Sequence, residues 1–168
     1  MSEGGLALRV GLGYDAHRFA QERPLVLGGV RLRDENGLEG HSDADVLVHA
    51  VMDALLGAAG LEDIGHYFPD TDPEFAGADS LKLLEAVGAL LRENGWRVAN
   101  VDAVVICEDP RIAPHRAAMK ERMAAALGLG PAQVGLRGTT TEGMGFTGRR
   151  EGIAAQAVAL VERTWRPV

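Results

Sequence analysis

Residues 79–107, DSLKLLEAVGALLRENGWRVANVDAVVIC, decide the fold class. Asp79 and Ser80 are helix-starting residues. Leu81, Leu84, Val87, Leu90 and Leu91 then recur at helical spacing on one face, and Asn94-Gly95 stops the run. From Trp96 to Cys107 the composition turns β-rich at once. The spacing predicts an amphipathic helix over 79–94 that hands directly to a strand over 96–107. Downstream, 114–127 reads as a helix, 133–137 as a short strand and 138–150 as a glycine-interrupted loop. Residues 151–163 satisfy the strand and the helix period alike. Upstream, 8–19 reads as a strand and 24–32 as a hairpin around Gly28-Gly29. Ser42 followed by Asp45 resembles a capping signal for a helix over 45–59. Residues 60–77 form a long loop punctuated by Gly, Pro and Asp, the kind of loop that carries function in a compact domain. Strands alternating with helices predict an α/β or α+β sandwich, a single domain with helices on one face of a mixed β-sheet. Residues 1–7 are expected to be a disordered extension of it.

With 168 residues, 46% of them hydrophobic, the chain can bury a core without disulfides, and Cys107 has no partner. A single thiol and an N-terminus without basic and apolar signal regions predict a bacterial cytoplasmic protein, neither secreted nor membrane-spanning. The net charge of −7, from 24 acids against 17 bases, argues against nonspecific nucleic-acid or membrane binding. An anionic ligand would need local arginines or bound metal. The 22 glycines are about twice the usual share of ~7%; they imply tight turns and places where backbone approaches a neighbour.

Four groups of residues could carry chemistry. Asp15 and His17, at i and i+2 of a predicted strand, project from one face, and His49 supplies a third candidate ligand from the 45–59 helix. Such a set suits zinc with an open position; the spacing leaves open that these are hydrogen-bonded structural residues. One of Asp45 and Asp53, four residues either side of His49, could orient it; the spacing equally fits a solvated acidic face. His41 and Ser42 precede the helix, where backbone N–H groups attract phosphate. Asp63 either accepts from ribose hydroxyls or caps backbone locally, as do the Asp residues of Phe68-Pro69-Asp70-Thr71-Asp72. The densest stretch is 137–149, RGTTTEGMGFTGR, where glycines alternate with Thr139, Thr140, Thr141, Glu142, Phe146 and Arg149. Glu142 is a hard ligand suited to Mg²⁺ or Mn²⁺, and Arg149 can pair with phosphate. His66 and His115 read as surface imidazoles, and Trp96 and Trp165 as packing residues.

Gly13-Tyr14-Asp15-Ala16-His17, the run HSDADVLVHAVMDALLG at 41–57, the segment 63–72 with Gly77-Ala78-Asp79-Ser80, and 139–152 together resemble the 2-C-methyl-D-erythritol 2,4-cyclodiphosphate synthase family of non-mevalonate isoprenoid synthesis. The resemblance spans nearly everything after Arg9. It implies a homotrimer with active sites between subunits, and a strand over 151–163. It also implies zinc at Asp15, His17 and His49, and a second divalent ion, Mg²⁺ or Mn²⁺, at Glu142 across the substrate diphosphate. His41 and Thr140 would stabilise the transition state, and Ser42 would hold phosphate beside Asp15, Ala16 and His17. Asp63, Ile64 and Gly65 would take the ribose, and 68–72 would line the methylerythritol. Cytosine would sit against the backbone of Cys107, Glu108, Asp109, Pro110, Arg111, Ile112 and Ala113, while Thr139, Thr141, Phe146 and Arg149 would complete the site. Arg137-Gly138, Arg111 and Glu62 depart from the common pattern of the family, and at 138 a flexible glycine replaces a rigid alanine. The implied reaction closes a cyclodiphosphate ring and releases CMP. The competing readings are a zinc phosphohydrolase and a trimeric module that binds isoprenoid diphosphates.

Overall fold

A computed structural model describes residues 7–164. Most of the expected extension and all of Trp165 lie outside the described residues. The strands are β1 Leu8–Ala20, β2 Leu25–Leu27, β3 Val30–Arg33, β4 Gly37–Leu38, β5 Trp96–Ile106, β6 Val134–Thr139 and β7 Gly152–Arg163. The helices are α1 Val46–Ala59, α2 Ile64–Tyr67, α3 Ser80–Glu93, α4 Arg116–Leu127 and α5 Gly145–Gly148. Five strands form one mixed sheet in the order β4-β1-β7-β5-β6, with only β5 and β6 parallel. β2 and β3 make a separate hairpin whose turn glycines, Gly28 and Gly29, both have positive φ. Among the described residues no helix is long and apolar enough to cross a membrane.

The expected mixed-sheet α+β architecture is present. β7 settles the stretch with two periods: Ala155, Ala157, Ala159 and Val161 are buried while Gln156 and Val158 are exposed, the alternation of a strand. The helix expected over 114–127 begins instead with a 3-10 turn at Ala113–His115, and the long loop contains α2 and a 3-10 turn at Pro73–Phe75. The cap of α1 is Asp45, not Ser42, because Asp45 Oδ1 accepts from Val48 N at 3.1 Å. Fully buried, Asp45 also accepts from Gly28 N at 3.0 Å and Gly29 N at 2.7 Å, and so ties the hairpin to α1. Burial, reinforced by Asp43, pushes its carboxyl up to about 6 against the pull of those three N–H donors.

α1 lies unusually close to β1. A Cβ on Gly11 would sit 2.0 Å from the Ala54 carbonyl oxygen, and one on Gly13 would sit 1.9 Å from that of Ala50. Only glycine allows that approach, and α1 contributes eleven buried residues to the core through it. Trp96, buried as expected, has the guanidinium groups of Arg9 and Arg163 at 5.6 and 4.9 Å from its ring centroid. Gly57, on the same helix, faces open space. Gly13→Ala should therefore lose at least about 2 kcal/mol in urea unfolding at fixed protein concentration. Gly57→Ala should gain about 0.5–1 kcal/mol.

Candidate functional site

The close packing of β1 on α1 brings three ligand-type atoms together. Asp15 Oδ2 is 2.8 Å from His17 Nε2 and 3.0 Å from His49 Nδ1, and the two nitrogens are 3.2 Å apart. Around an ion with bonds of about 2.0–2.1 Å, tetrahedral ligands stand roughly 3.4 Å apart, so this corner is a few tenths of an ångström tighter. His17 Nδ1 lies 2.7 Å from the Glu39 carbonyl, which can only accept. The proton of a neutral His17 therefore sits on Nδ1, and its Nε2 lone pair meets the Asp15 carboxylate. Two lone pairs so placed require a proton or a cation between them, and the donor set of one carboxylate oxygen and two imidazole nitrogens fits a divalent metal.

The ionisation of the corner follows from the same geometry. Burial alone would raise the Asp15 carboxyl, but the hydrogen bond and charge of His17, with the His49 ring beside it, outweigh it and hold it far below the usual carboxylate range. Burial alone would lower the His17 imidazole; the Asp15 hydrogen bond and charge, helped by the Glu39 carbonyl, outweigh it and raise the group above 6.5.

The loop before α1 is held by residues the sequence did not point to. Arg23 donates to the carbonyls of Gly40 and, at 2.6 Å, Ser42. Ala44 adopts a left-handed φ of 57°, a strained conformation for a residue with a Cβ. Gly77 N donates to His41 O at 2.8 Å and Asp43 N to Ala78 O at 3.0 Å, so the 60–79 segment is strapped to this loop. Neither Asp45 nor Asp53 orients His49, as the helical spacing had suggested: Asp45 is the cap, and Asp53 Oδ1 accepts from Ile64 N at 2.9 Å. His49 Nε2 instead lies 3.1 Å from both Ser42 Oγ and Ser80 Oγ.

A cavity of about 360 Å³ opens on the corner, lined by Asp15, His17, His41, Ser42 and His49, and by Ile64, Gly65, Phe68 and Asp70 of the expected sugar segment. Asp63 and Asp72 cap local backbone, at His66 N and Glu74 N, and His41 Nε2 donates to the Asp72 carbonyl at 3.0 Å. A second cavity, about 350 Å³, lies at the carboxyl ends of the parallel pair β5 and β6. Cys107, Glu108, Pro110, Arg111, Ile112 and Ala113 line it with Thr139 and Thr140. Burial, with Asp109 and Glu108 adding, pushes the Cys107 thiol up to about 11, so it packs as an inert residue.

Glu108 Oε1 accepts from Thr141 N at 3.1 Å and Gly143 N at 3.3 Å, bracketing Glu142, whose φ is 51°. Ala16, Pro69, Thr71, Asp109, Thr141, Glu142, Phe146 and Arg149 line neither cavity. Asp109 pairs with Arg33 at 2.5 Å, and Arg149 with Glu151 at 3.1 Å. Gly138 has no positive φ. A Cβ there would come within 2.9 Å of Ile112, so space rather than flexibility explains the glycine. Arg137 makes a bidentate pair with Asp102 at 2.8 Å.

Fold and site together define a class, an α+β enzyme with a three-ligand corner that fits a divalent ion beside a cavity of about 360 Å³. A sequence profile of the YgbB family matches residues 8–162. The 2-C-methyl-D-erythritol 2,4-cyclodiphosphate synthase of Rubrobacter xylanophilus is 65% identical over 92% of this chain and 95% of its own. In structure, the chain is similar to the bifunctional IspDF from Campylobacter jejuni, with TM-score 0.91 and 40% identity over 95% of this chain and 43% of that one. It is also similar to a CDP complex of Plasmodium falciparum IspF, with TM-score 0.83 and 28% identity over 96% and 100%. The chain belongs to the YgbB family of cyclodiphosphate synthases.

Because the corner must shed the His17 proton to take an ion, divalent-ion affinity should rise with pH through and above 6.5. The slope should be on the order of tenfold per unit while that proton is displaced. Protonated His17 stabilises the metal-free fold below 6.5 and loses that contribution as pH rises through its raised pKa, opposite in sign to ion binding. Calorimetric titration in buffers of different ionisation enthalpy counts the released proton directly.

Proposed function

We propose that the protein cyclises 4-diphosphocytidyl-2-C-methyl-D-erythritol 2-phosphate to 2-C-methyl-D-erythritol 2,4-cyclodiphosphate, at sites completed between copies of the chain. The 2-phosphate oxygen attacks the β-phosphorus, the bond from that phosphorus to the bridging oxygen breaks, and CMP leaves with that oxygen. No external nucleophile enters, so the work is positioning an extended anion and offsetting its charge. When bound, zinc at Asp15, His17 and His49 and a second ion, Mg²⁺ or Mn²⁺, at Glu142 would polarise the diphosphate and neutralise its charge.

The chain's residues supply the rest. His41 and Thr140 donate to the charge that develops on the reacting phosphate, for which His41 exchanges its bond to the Asp72 carbonyl for one to substrate. Ser42 holds phosphate beside Asp15 and Ala16. The ribose lies against Asp63, Ile64 and Gly65, and the methylerythritol along 68–72. Cytosine takes the backbone of 107–113 in the second cavity; the CDP complex of the Plasmodium relative supports a cytidine diphosphate ligand. Thr139, Thr141, Phe146 and Arg149 close the site.

The observation that carries this reading is the corner of Asp15, His17 and His49 in a chain of this family. Assembly into a homotrimer is supported by the helix-free face of the sheet. Val10 and Leu12 are 67% and 68% exposed there, and their register partners Leu160 and Val158 continue the apolar strip. It is also supported by the division of the expected site between two cavities of one chain, which a neighbouring copy would join.

³¹P NMR of the purified protein with the substrate and Mg²⁺, with and without a zinc chelator, tests the reaction. Cyclodiphosphate and CMP, both lost on chelation, are the expected result. A linear phosphate would mean a hydrolase, and unchanged substrate a binding module. His17→Ala should reduce CMP release by at least about 10³-fold with an unchanged circular dichroism spectrum. Full CMP release from that variant would remove the metal assignment.

A further inference from the structure

Ser80, the first residue of α3, is completely buried, yet its hydroxyl is 3.1 Å from His49 Nε2 and donates to Asp43 Oδ1. Asp43 is itself held at three points. Its Oδ2 accepts from Ser80 N at 2.9 Å, its Oδ1 accepts from Asp45 N at 3.1 Å, and its own N–H donates to Ala78 O at 3.0 Å. A carboxylate only accepts, so the single hydroxyl proton of Ser80 goes to Asp43. What Ser80 can then offer His49 is a lone pair, and Nε2 must carry the ring proton. In the neutral ring that leaves Nδ1 bare, and Nδ1 is the atom 3.0 Å from Asp15 Oδ2 and 3.2 Å from His17 Nε2. Ser42 Oγ, also 3.1 Å from Nε2, accepts from Ala44 N and makes no contact with a carboxylate; it does not impose a tautomer.

We propose that Asp43 and Ser80 are positioning residues for the metal corner, setting through one relayed hydrogen bond which nitrogen of His49 faces the ion. The relay runs from the loop before α1 to the start of α3, the same two segments that strap down residues 60–79. Asp43 thus takes part both in orienting the ligand, through Ser80, and in holding the sugar-lining segment, through its own N–H to Ala78 O. Partners of this kind typically change metal affinity by about 10–100-fold. The proposal rests on the metal reading of Asp15, His17 and His49.

The test uses the full chain and its Ser80→Ala and Asp43→Asn variants. Zinc affinity is read by competition with a chromogenic chelator, and the His49 tautomer by ¹⁵N NMR of metal-free protein with the ring in its neutral form. Wild type should show His49 protonated at Nε2. Ser80→Ala should show a mixture of tautomers with zinc bound about 10–100-fold more weakly, and Asp43→Asn should weaken zinc in the same direction. Wild-type zinc affinity in a folded Ser80→Ala variant overturns the proposal and leaves the metal site standing. Protonation at Nδ1 in the wild type also overturns it, whether or not either variant folds. Failure of the wild type to bind zinc removes the metal reading itself, and the proposal with it.

Discussion

The site depends on the contact of the Gly11 and Gly13 backbone with the carbonyls of Ala54 and Ala50. Where those strand residues carry no Cβ, α1 settles onto β1 at backbone distance, and His49, one residue before Ala50, comes within hydrogen-bond reach of Asp15. A helix set back by the width of a methyl group would carry its imidazole away from the carboxylate. The same approach buries nearly the whole surface of α1. Packing density at this one interface thus serves core stability and ligand geometry together.

The ligand corner was legible in the sequence because strand periodicity puts residues 15 and 17 on one face irrespective of tertiary context. The register of β1 and β7 bears that out, with Gly11 and Gly13 buried on the face that continues to Asp15 and His17, and Leu12 and Tyr14 exposed on the other. The supports of the corner were not legible. Asp43 and Ser80 read as ordinary residues at helix starts, and their separation of 37 in sequence closes only in the folded chain. Helical spacing favoured Asp45 and Asp53 as partners of His49, but each answers a stronger local demand from unpaired backbone N–H groups. The double period of 151–163 gave way to a strand because that segment is flanked on both sides, by β1 and β5, and buried small residues suit such a position.

The second cavity has a different origin. Parallel β5 and β6 end together, with Ile106 opposite Thr139, so the turns after both strands start from one place. Cys107 N donates to Thr139 O at 3.0 Å and extends the pairing past the end of β5. Glu108 then reaches across to the backbone on either side of Glu142. The left-handed conformation of Glu142 is thereby held by a neighbouring carboxylate, which couples the expected cytidine loop to the expected ligand for the second ion.

The antiparallel pairing of β1 with β7 places Leu8 beside Glu162 and His17 beside Ile153. At about 3.4 Å per residue, nine strand positions put roughly 30 Å between the Leu8 end of the pair and the ligand corner. Arg9 and Arg163 meet Trp96 at that far end. The fold therefore separates the Trp96 cluster from the ligand corner by the length of the sheet, so a change at one end need not reach the other.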